Sequence, residues 1–379
     1  MKKETVLCVA ALLAILSVFL VRPDREYLGY IDARVLALLF CLMTIMEGFK
    51  KTGLFERLAN GLLGKVHTFR QLMFVLVGLC FFSAMWITND VALLTFVPFT
   101  ILVLRKIQMD DRMIPVITME TIAANLGSMA TPVGNPQNLY LYSVSEMNIA
   151  EFLKIMGPLT ILSLILIVLG CLTQKDCELQ LQMQTQKAKE KNHREDALLN
   201  RLLLFLFVIS ILSVLRVLMW QQLLIITLIV CSGWSLKKKD RWLPLSVDYS
   251  LLLTFVAFFV FIGNMGRIGM VREVLSEILT GQELLIAFFS SQVISNVPAA
   301  ILLSGFSQNY PMLLQGVNIG GLGTLIASLA SLISYKFYAQ ESENNQKAGT
   351  KREYFLYFTG WNVIMAVLLL LAAILLQRM

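Results

Sequence analysis

The chain has 379 residues, of which 57% are hydrophobic and 15% charged, with a formal charge of +7. About a quarter of an ordinary soluble protein is charged. This composition, with apolar runs longer than about 17 residues, excludes a soluble domain and reads as a polytopic α-helical membrane protein.

The elements follow in chain order. Met-Lys-Lys and the apolar run to Val21 resemble a signal peptide, but no small-residue cleavage site precedes Arg22-Pro23-Asp24, so residues 5–21 read as an uncleaved first span. A second span covers 30–49, and an amphipathic segment follows at 52–64. The apolar run 70–104 is interrupted at Trp86-Ile87-Thr88-Asn89-Asp90 and reads as a re-entrant helical hairpin with Thr88, Asn89 and Asp90 at its tip. Hydropathy leaves two ordinary spans, or one tilted span, open as the alternative. A broken span is predicted over 112–145 and a full one over 152–173. The Gln- and Lys-rich stretch 174–197 reads as a solvated linker, followed by spans at 198–219 and 221–236 and the basic cluster Lys237-Lys238-Lys239-Asp240-Arg241. Next come a span at 249–266, an amphipathic piece at 269–280 and a second hairpin at 282–308 with Ser295-Asn296-Val297-Pro298 in its middle. A Gly/Ser-rich span, 311–335, a charged loop, 336–352, and a last span, 354–377, complete the chain. The expected total is about nine full spans plus the two re-entrant hairpins.

The break at 125–138 is the most informative stretch. It reads Asn-Leu-Gly-Ser-Met-Ala-Thr-Pro-Val-Gly-Asn-Pro-Gln-Asn between apolar helices. Proline removes a backbone donor and drives the preceding residue out of the α region, so Thr131-Pro132 and Asn135-Pro136 forbid a continuous helix. Open backbone at membrane depth is tolerated only inside protein or beside a water-filled cavity. Transporters use such broken helices to hold an ion or substrate.

Two halves of the chain can be superposed. Ile31-Asp32 through Lys51-Thr52-Gly53-Leu54 matches Val247-Asp248 through Arg267-Ile268-Gly269-Met270 without a gap. Phe81-Phe82-Ser83 and Thr88-Asn89 match Phe288-Phe289-Ser290 and Ser295-Asn296. Asn125-Leu126-Gly127-Ser128 matches Gly321-Leu322-Gly323-Thr324, which lays Thr131 to Asn138 on Ala327 to Ser334. The domain layout is therefore an N-terminal span (1–29), a first repeat (30–173), a linker with two connecting spans (174–246) and a second repeat (247–379). With the N-terminus cytoplasmic, Lys50, Lys51, Arg105, Lys106, the linker, the Lys237 cluster and the 336–352 loop all fall inside, as the positive-inside rule asks. The C-terminus is then outside and the two repeats have inverted topology, which places a site at the midplane between them.

Candidate site residues follow from this layout. Asp90 and Glu120 are the acids deepest in apolar surroundings, where a charge is expensive and a functional role is the default. Asp90 also suits a helix N-cap, and Glu120 a hydrogen-bond anchor to Asn125. Asn89, Asn135, Asn138 and Asn296 offer both amide donors and carbonyl acceptors, and Asn89, Asn135 and Asn296 are candidate ligands for Na+. Thr131, Gly134, Thr324, Ser328 and Ser331 complete the unwound segments. The basic residues lie between spans, which fits membrane-facing loops rather than nucleic acid. Six scattered cysteines form no CxxC pair, and the histidines, His67 and His193, fall in loops. An intramembrane enzyme would need a nucleophile–base pair or a metal site, so no catalytic residue is assigned. No GxxxxGK[ST] loop is present, so the chain carries no ATPase motif of its own.

The Ser/Thr-Asn tips and the unwound Thr131-Pro132-Val133-Gly134-Asn135-Pro136-Gln137-Asn138 resemble the ion transporter superfamily, over 30–173 and 247–377. That group includes divalent anion–sodium symporters, arsenite permeases, citrate-type permeases and NhaD-like sodium/proton antiporters. Dicarboxylate symporters usually carry a small hydroxyl residue after the tip asparagine, where this chain has Asp90 and Val297. Thr88-Asn89-Asp90, and Glu120 with Asn125, are closer to the arsenite and NhaD-like branch, which often has Asp at the place of Asn135. The resemblance implies a secondary transporter for a small anion, an oxyanion or a carboxylate. Coupling would be to Na+ or H+, with no other cofactor, by an elevator movement in a homodimer of the inner or plasma membrane. A sodium/proton antiporter and a passive anion channel are the alternatives.

Overall fold

The computed structural model describes residues 2–63, 66–179, 193–238 and 243–377. Most of the linker and part of the Lys237 cluster therefore lie outside the described residues. Among the described residues the protein is helical, with one isolated β-bridge between Thr68 and Glu178.

The first half comprises α1 (Lys2–Leu20), α2 (Tyr27–Tyr30), α3 (Ala33–Lys51), α4 (Leu54–Leu63), α5 (Phe69–Ile87), α6 (Asn89–Lys106), α7 (Met113–Ser128), α8 (Pro136–Val144) and α9 (Ile149–Leu172). Then follow α10 (His193–Val214) and α11 (Trp220–Lys238). The second half comprises α12 (Tyr249–Arg267), α13 (Gly269–Leu279), α14 (Glu283–Ile294), α15 (Asn296–Ser304), α16 (Tyr310–Ile319), α17 (Leu329–Asn344) and α18 (Lys351–Leu376). Five described helices are long and apolar enough to cross a membrane, and a sixth candidate is the pair α13 and α14, bent by 108° at their junction.

Both interruptions read from the sequence are present. The run 70–104 is a hairpin of α5 and α6 that turns at Thr88, and 282–308 is a hairpin of α14 and α15 that turns at Ser295. The predicted broken span is α7 and α8, with residues 129–135 unwound between them. Asn135 caps α8 through its side chain and Pro136 occupies the first turn, where its missing N–H costs nothing.

Packing places these breaks in the interior. The α5–α6 hairpin lies against α7, and α14–α15 against α16. Each hairpin also reaches into the other half, α6 packing on α17 and α15 on α8. A frame forms around this core: α1 packs on α12, and α3 on α10 and α11. In the frame, the Asn264 amide donates to the Ser17 hydroxyl between α12 and α1 (2.8 Å), and Thr52 donates to Asn200 between α3 and α10 (2.6 Å). Apolar side chains such as Leu102, Ile161, Leu204 and Leu371 stay exposed on the outer surface, as helices facing lipid require.

Candidate functional site

The two hairpin tips have the same backbone shape. Thr88 has φ 71° and ψ 149°, and Ser295 has φ 76° and ψ 155°. This region is essentially reserved for glycine, and a side chain there costs of order 1–3 kcal/mol. The same strain at both tips means the surrounding contacts hold the chain in that shape. At each tip the next backbone N–H donates into an unwound segment, Asn89 N to the Gly134 carbonyl (3.3 Å) and Asn296 N to the Ala327 carbonyl (3.0 Å).

The unwound segments meet through a reciprocal set of side-chain hydrogen bonds. Asn125, near the end of α7, accepts at Oδ1 from Ser328 Oγ (3.0 Å) and donates from Nδ2 to Ser331 Oγ (3.2 Å). Asn318, near the end of α16, accepts at Oδ1 from Asn135 Nδ2 (3.0 Å) and donates from Nδ2 to Asn138 Oδ1 (2.6 Å). Ser328 and Asn135 are the N-caps of α17 and α8, and Ser331 and Asn138 stand three residues further on. So each half offers an asparagine to the helix start of the other half. A contact repeated with the partners exchanged is the signature of two-fold symmetry.

This pattern corrects the repeat alignment. Asn125 corresponds to Asn318, not Gly321, and the whole stretch 125–138 lies on 318–331 without a gap. The supporting bonds agree. Thr131 donates to the Met85 carbonyl, and its counterpart Thr324 to the Gln292 carbonyl (3.3 Å). Ser334, which the first alignment placed in the unwound segment, lies inside α17 and bonds the Ala330 carbonyl of its own helix. The second copy contains no proline to mark its break, so Gly and Ser matches fitted more than one frame.

Free backbone groups of the unwound segments are satisfied differently in the two halves. In the first, the Asn138 amide donates to the carbonyls of Ser128 (3.2 Å) and Thr131 (3.0 Å). In the second, Gln292 of α14 takes this part, donating to the carbonyls of Gly320 (2.9 Å) and Leu322 (2.8 Å) and accepting from Thr324 N (3.0 Å). The first segment is also tighter, because a Cβ on Gly134 would overlap the Ser128 carbonyl. The first break is enclosed, whereas Thr324 and Ile326 of the second are exposed.

The sequence candidates thus fall into groups. Asn89 joins the Asn125 cluster, donating to its Oδ1 (3.0 Å), together with Ser328 and Ser331. Asn135 and Asn138 join the Asn318 cluster. Asn296 binds back to its own hairpin, accepting from Val297 N (2.9 Å), beside Ser295. No hydrogen bond links Asn89, Asn135 and Asn296 to one another among the described residues, so these candidate Na+ ligands are distributed over the junction. Asp90 lies in the first turn of α6, its backbone N–H donating to Asn89 Oδ1 (3.0 Å). Glu120 stands apart, one carboxyl oxygen accepting from Thr100 on α6 (2.5 Å). Asn318 and Gln292 were missed. Asn318-Ile319-Gly320 repeats Asn125-Leu126-Gly127, and Gln292 is a polar residue in an apolar hairpin arm, so both signals were present in the sequence.

Broken helices that meet inside an apolar bundle, with their ends satisfied by side-chain amides, define a membrane transporter. The sequence model of the CitMHS family, citrate transporter, matches residues 2–312. An uncharacterized transporter of Methanocaldococcus jannaschii is 31% identical over 350 residues, 92% of this chain and 90% of that protein. The inner membrane protein YbiR of Escherichia coli is 32% identical over 327 residues, 85% of this chain and 84% of its own. An uncharacterized transporter of Mycobacterium tuberculosis is 25% identical over 288 residues, 71% of this chain and 66% of its own. The chain belongs to the CitMHS citrate transporter family, within the ion transporter superfamily that its tips and unwound segment resemble.

Proposed function

We propose that the protein is a secondary active transporter that moves a small anion, an oxyanion or a carboxylate, coupled to Na+ or H+. The observation that carries this reading is the reciprocal junction of Asn125 with Ser328 and Ser331 and of Asn318 with Asn135 and Asn138. Around it gather the N-termini of α6, α8, α15 and α17, whose dipoles favour an anion. The C-terminal ends of α5, α7, α14 and α16 gather there too, and their carbonyls favour a cation. A site that suits both charges suits cotransport. The family description, citrate transporter, supports a carboxylate as one substrate class.

The proposed membrane is the inner or plasma membrane, in keeping with the name of the YbiR relative. The N-terminus is cytoplasmic, the C-terminus outside, and the repeats are inverted. The core of hairpins and broken helices rides against the frame in an elevator movement, within a homodimer. Reconstituted vesicles with an imposed Na+ or proton gradient test the function, offering citrate, other carboxylates and oxyanions in turn. Uphill accumulation of one of them is the expected result. Flux that only equalises concentrations would make the protein a channel and overturn the proposal.

A further inference from the structure

Glu120 lies on α7, at 0% exposure, outside the junction just described. One carboxyl oxygen accepts a hydrogen bond from Thr100 Oγ1 at 2.5 Å, and the other, Oε2, is buried with no hydrogen-bond partner among the described residues. The helix packs against α5, α6, α9, α16, α17 and α18. From these, the titratable group against the carboxyl is the Cys80 thiol of α5, a weak donor, with the Tyr354 phenol of α18 within electrostatic range. Tyr335 and Tyr338 of α17 pack on the Tyr354 ring, with centroids 5.8 Å and 4.4 Å away. None of the groups that act on Glu120 is a cation.

A carboxylate in this setting would have two neutral donors, the Thr100 hydroxyl and the weak Cys80 thiol, and no counter-ion. Burying such a charge costs several kcal/mol, which a neutral acid avoids. A purely structural acid would also be expected to satisfy both its oxygens, since a buried polar atom left alone is destabilising. The unsatisfied oxygen of Glu120 therefore marks a carboxyl placed to carry a hydrogen of its own.

We propose that Glu120, set between Thr100 and Cys80, is a proton-binding site separate from the asparagine–serine junction, and that it exchanges its proton with water as the protein works. The O–H bond at the carboxyl forms and breaks, and no other bond changes.

Infrared difference spectroscopy of the purified protein tests this with the proton itself as probe. Wild type should show a protonated-carboxyl C=O band at neutral pH that moves on transfer to D2O and fades at high pH. Glu120→Gln should remove that band. Thr100→Val, which deletes the hydroxyl donor to the carboxyl, should shift its frequency and serves if the Gln variant does not fold. Asn125→Ala should leave the band in place, so a failure of the junction reading is seen separately from a failure here. A band that survives Glu120→Gln, that ignores both D2O and pH, or that ignores Thr100→Val would overturn the proposal.

Discussion

Asn125 and Asn318 hold equivalent places in the two halves, and each binds two residues at the start of a helix from the other half. Truncating either leaves buried partners without a hydrogen bond, at about 1–3 kcal/mol. Asn125→Ala and Asn318→Ala should therefore lower thermal stability by similar amounts and both abolish gradient-driven uptake in vesicles. If Asn318→Ala behaved as wild type while Asn125→Ala failed, the equivalence would be wrong. The tips make an opposite prediction. Thr88 and Ser295 bear side chains where glycine is at ease. Thr88→Gly and Ser295→Gly should each raise stability by about 1 kcal/mol, measured by thermal unfolding in detergent. Lower stability in both variants would show that the side chains contribute more than their strain removes.

The broken helices show how one architecture is reached by two local solutions. The first relies on Pro132, Pro136 and Gly134, which forbid helix and permit close approach. The second, Gly-rich and free of proline, is held open from outside by Gln292. Gly323 takes φ +110° there, a conformation other side chains rarely adopt. The equivalent positions Gly134 and Ala327 separate these solutions. Gly134→Ala meets the rigid Ser128 backbone and should cost about 1–3 kcal/mol, as overpacking does. Ala327→Gly removes one methyl group and should cost about 1 kcal/mol or less. Thermal unfolding of the pair measures the contrast, and equal costs would refute it.

At the scale of the whole molecule, the proposed movement has a mechanical consequence. Ser17 and Asn264 lie within the frame, whereas Tyr140 of α8 and Phe259 of α12 touch between core and frame, with ring centroids 5.8 Å apart. In a background without native cysteines, cross-linking a cysteine pair at 17 and 264 should leave uptake intact. Cross-linking a pair at 140 and 259 should stop it, and reduction should restore it. Uptake that survives the second cross-link would exclude a core moving against this frame. The proposed orientation is tested separately with an impermeant thiol reagent added from outside to intact cells. A cysteine in place of Gln377 should react, and one in place of Lys347 should be shielded. The reverse labelling would invert the topology.

By itself the sequence determined what its local chemistry dictates. Long apolar runs must be helices, because lipid offers backbone groups no partner. Thr131-Pro132 and Asn135-Pro136 must interrupt one of them, and the helix is unwound over residues 129–135, with Pro136 opening α8. The hairpin tips at Thr88 and Ser295 were legible for a similar reason, since each is a polar pause between apolar arms. The register of the two halves was decided only by tertiary structure. Asn318-Ile319-Gly320 repeats the asparagine of Asn125-Leu126-Gly127 and Gly321-Leu322-Gly323 repeats its Leu-Gly, so local similarity fits both frames. Hydrogen bonds between residues about two hundred positions apart choose between them, as the separation of 203 between Ser328 and Asn125 shows. The same holds for Glu120, whose partner Thr100 comes from a neighbouring helix rather than from Asn125 on its own. Covalent neighbours set where a helix must stop, but which buried amide meets which is settled by packing the halves together.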